Sequence, residues 1–187
     1  MVESVLASAT KLVIERGSAV TMSEIARDSG VALASLYQYF SDRSAILRAL
    51  LERHYEEVRA LLASTIEGST SVATFVANIE AGSIFYFDLH RDDPFSRSIW
   101  SIIQTDADLQ ALDVADTLIN AALMHRVALP LYGKVDSEAL MATCALSLQM
   151  ASTAARFAIV VPEPLPGPMR ASYLQMIRAA FMSLKQG

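Results

Sequence analysis

The chain has 187 residues, 53% hydrophobic and 19% charged, which fits one or two packed domains and excludes a disordered chain. Cys144 is the only cysteine and cannot close an intrachain disulfide, so a reducing cytoplasm is the expected setting. The net charge of −5 does not suggest nucleic acid, but the excess acid lies outside residues 1–50, where basic and acidic residues balance.

Residues 1–20 carry Glu3, Lys11, Glu15 and Arg16 within the hydrophobic pattern, unlike a secretory leader. No uncharged apolar run approaches the ~20 residues needed to cross a bilayer, so no membrane partner is expected.

Helical periodicity dominates, without a convincing alternating strand. Val5, Leu6, Ala9, Leu12 and Val13 form the stripe of a first helix, with Gly17 as its stop. Thr21 and Glu24 have capping-box spacing at the start of a second helix. The small Ala26 lets another helix cross closely, and Gly30 suits a turn of positive φ. A short helix ending in Leu36-Tyr37-Gln38-Tyr39-Phe40 follows. A longer one starts near Asp42, carries Ile46, Leu47, Leu50, Leu51, Tyr55, Val58 and Leu62, and runs to about Ile66. His54 is expected on its exposed side.

Beyond the break at Gly68 to Ser71, a helix is expected from Val72 to Leu89. Asp93-Pro94 reads as an N-cap and first position, opening a helix through Gln104. The next runs from Ala107 to Leu129 and stops at Pro130 and Gly133. Asp136 caps a helix to Val160, Pro162 to Pro168 form a stiff connector, and Met169 to Leu184 form the last helix.

Residues 21–43 have the layout of a DNA-reading helix-turn-helix. Val31 and Leu36 face back and fix the crossing, leaving Ala32, Leu33, Ala34, Ser35, Gln38 and Tyr39 toward a groove. The same spacing also suits an ordinary helical hairpin with an aromatic core plug.

The wider pattern of Gly17, Thr21, Ile25-Ala26, Gly30-Val31, Leu36-Tyr37-Gln38-Tyr39-Phe40, Ser41-Asp42-Arg43 and Ile46-Leu47 resembles the tetracycline-repressor (TetR) family of bacterial regulators over residues 4–60. The resemblance implies an all-α chain of about nine helices. An N-terminal three-helix DNA-binding domain would occupy residues 1–45, and a larger ligand-binding and dimerisation domain 46–187. It implies DNA contacts by Thr21, Ser23, Ala32, Leu33, Ala34, Ser35, Tyr37, Gln38, Tyr39 and Arg43, with Thr21 offering its hydroxyl to a phosphate and Arg43 clamping another. Leu36 and Phe40 are assigned to the core.

Two features depart from the family pattern. Leu33-Ala34 stands where a polar or basic residue and Gly are frequent, and residues 1–4 hold none of the basic arm that often precedes the first helix. Gln38 is therefore the best direct base reader, with adenine its favoured partner.

Residues 72–130 concentrate large apolar groups, which read either as a packed core or as an apolar cavity with a few polar anchors. The resemblance implies the cavity, for a small hydrophobic effector. Its expected lining is Phe75, Ile79, Tyr86, Trp100, Ile103, Leu118, Met124 and Gln149, with Asn78, His90, Gln104, Asn120 and His125 as further polar anchors. Asp88, His90, Asp92 and Asp93 read as a solvated helix end and the next N-cap rather than a metal set. No nucleophile elbow or phosphate loop is present, so neither an enzyme nor a cofactor is expected.

The two C-terminal helices are apolar beyond one face. These faces read as packing within the chain, or, as the resemblance implies, as a four-helix homodimer interface with contacts by Leu148, Ala151, Ala155, Tyr173, Ile177 and Phe181. The function expected is a regulator, in the repressor sense, released from a pseudo-palindromic double-stranded operator by its effector. The alternative is a helical ligand-binding dimer with a degenerate DNA-binding head.

Overall fold

The computed structural model describes residues 1–184. Residues 185–187, the end of the expected 46–187 domain, lie outside the described residues. The described residues form nine α-helices and no strand: α1 (Val2–Arg16), α2 (Met22–Ser29), α3 (Leu33–Tyr39), α4 (Arg43–Ile66), α5 (Val72–Asp92), α6 (Pro94–Ile103), α7 (Ala107–Tyr132), α8 (Ser137–Val160) and α9 (Pro166–Ser183). A short 3-10 turn, Gly17–Ala19, follows α1.

The chain divides into two compact units, one of Met1–Glu57 with Asp93–Leu112 and one of Val58–Asp92 with the chain from Asp113 onward. This differs from a single cut after residue 45. Phe95, Ile99, Trp100, Ile102 and Ile103 bury most of the α6 surface, and α6 packs on α1 and the 3-10 turn. Burial of that surface attaches a late segment to the N-terminal unit.

In the first unit the expected α1 stripe is buried, and Gly17 ends the helix at φ +57°. The α2 N-terminus carries both halves of the capping box. Thr21 Oγ1 accepts from the Glu24 amide at 3.3 Å, and the Thr21 amide donates to Glu24 Oε2 at 3.0 Å. Gly30 stops α2 at φ +69°, its N–H donating to the last carbonyls of the helix, and the Val31 amide reaches the Ala26 carbonyl at 3.0 Å. This closes α2 as glycine-stopped helices usually close. Ile46, Leu47, Leu50 and Leu51 of α4 are buried.

In the second unit α5, α8 and α9 pack on one another. Phe75 meets Phe181 edge-on at 5.7 Å, and Phe87 meets Tyr173 at 5.5 Å. The Tyr173 hydroxyl donates to the Ser147 carbonyl at 3.1 Å, so the ring is buried without orphaning its oxygen.

Several boundaries differ from expectation. α7 continues through Pro130 to Tyr132. A proline so near the helix end removes one backbone bond there, and the buried Tyr132 anchors the last turn by donating to the Phe181 carbonyl at 2.9 Å. Gly133, at φ +68°, follows. α9 starts at Pro166 rather than Met169, because proline is preset for a first helical position. α5 runs on to Asp92 instead of ending at Leu89.

Candidate DNA-reading and effector sites

α3 has seven residues, and Leu36, 1% exposed, is the one among them that is buried. Phe40, just past its end, is buried as well. Everything else on the helix is open to solvent in varying degree. Ala32, Ala34 and Gln38 are exposed and Ser35 half-buried, while Leu33, Tyr37 and Tyr39 are 38%, 51% and 57% exposed. A short helix held by two apolar anchors, with two tyrosines and a glutamine turned outward, is a presented surface rather than an aromatic core plug.

Two assigned side chains are engaged elsewhere. The Thr21 hydroxyl donates to Glu24 Oε2 at 2.8 Å, so its proton serves the capping box rather than a phosphate. Arg43 is half-buried and donates to the Ser18 carbonyl, tying the start of α4 to the 3-10 turn. Ser23 is exposed on the first turn of α2.

The cations of the first unit are largely paired. Lys11 meets Asp28 at 2.8 Å, Arg16 meets Glu24, and Arg53 meets Glu3 at 2.7 Å. Asp28 lies below its ordinary value because the Lys11 ammonium, then Ser8, donate to it. Arg27 has no ion pair among the described residues and lies exposed at the end of α2, beside the turn into α3. It is a phosphate-contact candidate that motif spacing missed, since the signal is an unpaired charge rather than a pattern.

His54 is half-buried, not exposed, with its ring edge-on to Phe95 at 5.8 Å. Nearby, Asp93 caps α6 by accepting from the Phe95 and Ser96 amides at 3.1 and 2.9 Å and from the Ser96 hydroxyl at 2.6 Å. Burial pushes the Asp93 carboxyl up, but these bonds and the nearby His54 outweigh it and leave its pKa below the ordinary value.

The eight expected effector-lining residues are divided between the two units. Trp100 and Ile103 lie in the first unit and the other six in the second. Phe75, Ile79 and Met124 are fully packed core, whereas Leu118 and Gln149 are exposed. Tyr86 is half-buried, hydrogen-bonded to Ser152 and set at a tilt against the His90 ring, with centroids 4.0 Å apart. Burial drives its hydroxyl well above the ordinary value, against the Ser152 bond.

His90 is 1% exposed, with Nδ1 at 2.9 Å from the Tyr86 carbonyl, while Arg91 and Asp92 beside it are exposed at the end of α5 and Asp93 caps α6. Among the remaining expected anchors, Asn78 donates to Ser69 Oγ at 3.0 Å and His125 is 3.0 Å from Ser137 Oγ. Gln104 is exposed, and Asn120 is buried against Asp116. A cavity of about 270 Å³ opens between α5, α8 and α9, lined by Phe87, Ala155 and Ile159 with Asp88, Glu163 and Arg170 at its charged side.

No group of three His, Cys, Asp or Glu among the described residues is placed to hold a metal ion. Burial pushes the Cys144 thiol up to about 12, which removes it as a nucleophile. No helix among the described residues is long and apolar enough to cross a membrane.

Ala151, Ala155, Tyr173, Ile177 and Phe181 are buried within a single chain, and Leu148 is half-buried. The outward faces carry Leu146, Phe157 and Val160 on α8 and Met176 and Met182 on α9, all more than half exposed.

Residues 5–50 match the family model of bacterial regulatory proteins of the tetR family, and residues 85–164 match a tetracyclin repressor-like C-terminal domain. Among solved structures, SmeT, the repressor of the Stenotrophomonas maltophilia multidrug efflux pump SmeDEF, aligns over 100% of this chain and 92% of its own at 23% identity and TM-score 0.75. A SmeT–triclosan complex aligns over 96% of this chain and 90% of its own at 22% identity and TM-score 0.71. The TetR family repressor AlkX from a Dietzia strain, implicated in biodegradation of n-alkanes, aligns over 100% of this chain and 99% of its own at 15% identity and TM-score 0.64. No curated protein sequence matches the chain.

Proposed function

The chain belongs to the tetR family of bacterial regulatory proteins, and on that premise we propose that it is a homodimeric repressor released from its operator by a small hydrophobic effector. It is a DNA-binding regulator, not an enzyme. The observation that carries the reading is α3, held by Leu36 and Phe40 with Tyr37, Gln38 and Tyr39 turned outward.

Gln38 reads a base edge, for which adenine offers the matching donor and acceptor. Ala32, Leu33, Ala34 and Ser35 supply close contact at the groove, with Leu33 suited to a thymine methyl. The tyrosines, Ser23, Arg27 and Arg43 set register on the backbone. Two copies join through the outward apolar faces of α8 and α9. This two-fold arrangement places the two reading helices about 34–36 Å apart, one turn of DNA.

The effector occupies the second unit, and α4 carries the signal, because Arg43–Ile66 begins in the first unit and ends in the second. Release requires the effector to prefer the non-binding arrangement, at a typical coupling of about 1–3 kcal/mol. The triclosan complex of SmeT and the n-alkane setting of AlkX support a hydrophobic ligand class.

The absence of a basic excess over residues 1–50, the paired cations there and the exposed Leu33 favour one second reading, a ligand-binding dimer with a degenerate head. A mobility-shift titration over a salt series separates the two. Sequence-selective binding that weakens steeply with salt supports the repressor, since phosphate contacts release counterions. Binding without sequence preference at low salt refutes it.

A further inference from the structure

The cavity of about 270 Å³ lies wholly within the second unit, between the ends of α5 and α8 and the start of α9. Part of its lining is apolar: Phe87 and Ala155 are buried, and Ala158 and Ile159 half-buried. An apolar cavity of ~150 Å³ takes one benzene molecule, so this one has room for a ring with a short chain.

The rest of the lining carries four charged side chains, three of them paired. Asp88 Oδ1 accepts from Arg91 Nη1 at 2.9 Å and from Arg170 Nη1 at 3.2 Å. Arg91 turns its other edge to Asp92, with Nε and Nη2 donating at 2.8 and 2.9 Å. Glu163 lines the same cavity and has no hydrogen bond or ion pair among the described residues. The two arginines are set against Asp88 and Asp92, so the Glu163 carboxylate is the charge of the lining left unmatched.

An anion finds little to hold it here. Helix N-termini bind anions through their free amides. At the start of α9, however, Pro166 and Pro168 have no amide proton, and the Leu165 amide donates to the Pro162 carbonyl at 3.2 Å. That leaves the Gly167 amide, in a lining where Asp88 and Glu163 both repel negative charge.

We infer that this cavity takes a small organic monocation as the effector: an amine on an aromatic or short alkyl body. Its ammonium donates to the Glu163 carboxylate, and its apolar body lies against Phe87, Ala155, Ala158 and Ile159. The inference rests on the effector reading above and names the ligand class of that site.

Calorimetry on the full chain compares phenethylamine, phenethyl alcohol and hydrocinnamate, which share a ring and a two-carbon chain and differ in charge. The amine is expected to bind about three- to five-fold tighter than the alcohol, the scale of one exposed ion pair, and the acid weakest. Glu163→Gln should level amine and alcohol, as should ~1 M salt, because screening reaches an exposed pair. Ala158→Trp, which fills the cavity, should weaken all three at least about ten-fold. Glu163 is exposed on the connector before α9, so its variant remains informative where Ala158→Trp fails to fold.

Equal binding of amine and alcohol by the wild-type protein overturns the inference. So do tighter binding of the acid, an order unchanged in Glu163→Gln, and no binding of any probe at millimolar concentration. The effector reading is judged separately, by release from the operator. Release by uncharged hydrophobic compounds, undiminished in Ala158→Trp, leaves that reading standing without this site. If no compound moves the protein off DNA, the effector reading falls, and the binding order still decides whether the cavity takes a cation.

Discussion

Leu36→Ala tests whether α3 is a presented helix held from one side. Leu36 is 1% exposed, so the substitution removes three carbons from a fully packed site. At roughly 0.8 kcal/mol per buried methylene the transfer loss is near 2.4 kcal/mol. Incomplete collapse of the cavity raises the total to about 3–5 kcal/mol. A seven-residue helix has no stability of its own to oppose this, because isolated helices below ~12–15 residues are marginal in water.

Leu33→Ala is the matched control, the same truncation at a side chain already 38% exposed, and should cost under about 1 kcal/mol. Urea unfolding followed by far-UV circular dichroism measures both. Operator affinity should fall more than about ten-fold for Leu36→Ala, because the reading surface loses its anchor. Equal destabilisation by the two variants, or unchanged operator binding by Leu36→Ala, would refute one-sided anchoring.

Gln38→Ala should cost about 1–3 kcal/mol of discrimination at one base pair while leaving the salt slope unchanged, read by competition with single-base operator variants. Gly30→Ala meets nothing within 4 Å, so its cost is the left-handed backbone alone. That is about 1–2 kcal/mol, a fall in Tm of a few degrees by calorimetry. Phe157→Glu, on the outward face of α8, should give monomers by light scattering with little change in monomer helicity; a persistent dimer would place the interface elsewhere.

Asp93→Ala removes the α6 cap and should cost about 1 kcal/mol at neutral pH. The folded-state pKa of Asp93 is depressed, so its stabilisation is present above the unfolded value of 3.8 and lost as pH falls through the folded value. The gap between wild type and variant should therefore close below pH 3.8, measured by urea unfolding against pH.

Local signals were legible wherever one residue fixes one geometry. Thr21 with Glu24, Gly30, the Asp93-Pro94 step and Asp136 all mark helix ends in the sequence, and the structure has helix ends there. The Leu36 anchor followed from the same spacing, and the Phe40 anchor from what the family resemblance implies. What stayed hidden were choices between two apolar faces. α8 and α9 are apolar nearly all round, so periodicity could not say that Ala155, Tyr173 and Phe181 turn inward while Leu146, Phe157 and Met176 turn outward.

The unit that Trp100 and Ile103 join was hidden for a related reason. Their apolarity signals burial, but not that α6 packs on α1 and the 3-10 turn. His90 was read from its acidic neighbours, whereas one helical turn carries it onto Tyr86, where it is buried. The cavity beside Glu163 depends on how α5, α8 and α9 pack, which no spacing rule encodes.

Selection of duplex oligonucleotides by the full chain, sequenced at low and at physiological salt, would test whether this protein reads DNA as a dimer. The expected enrichment is a pseudo-palindrome whose half-sites lie about one helical turn, ~34–36 Å, apart, with an adenine whose selection is lost in Gln38→Ala. Recovery of unselected sequence at low salt, or of single half-sites without symmetry, would contradict it.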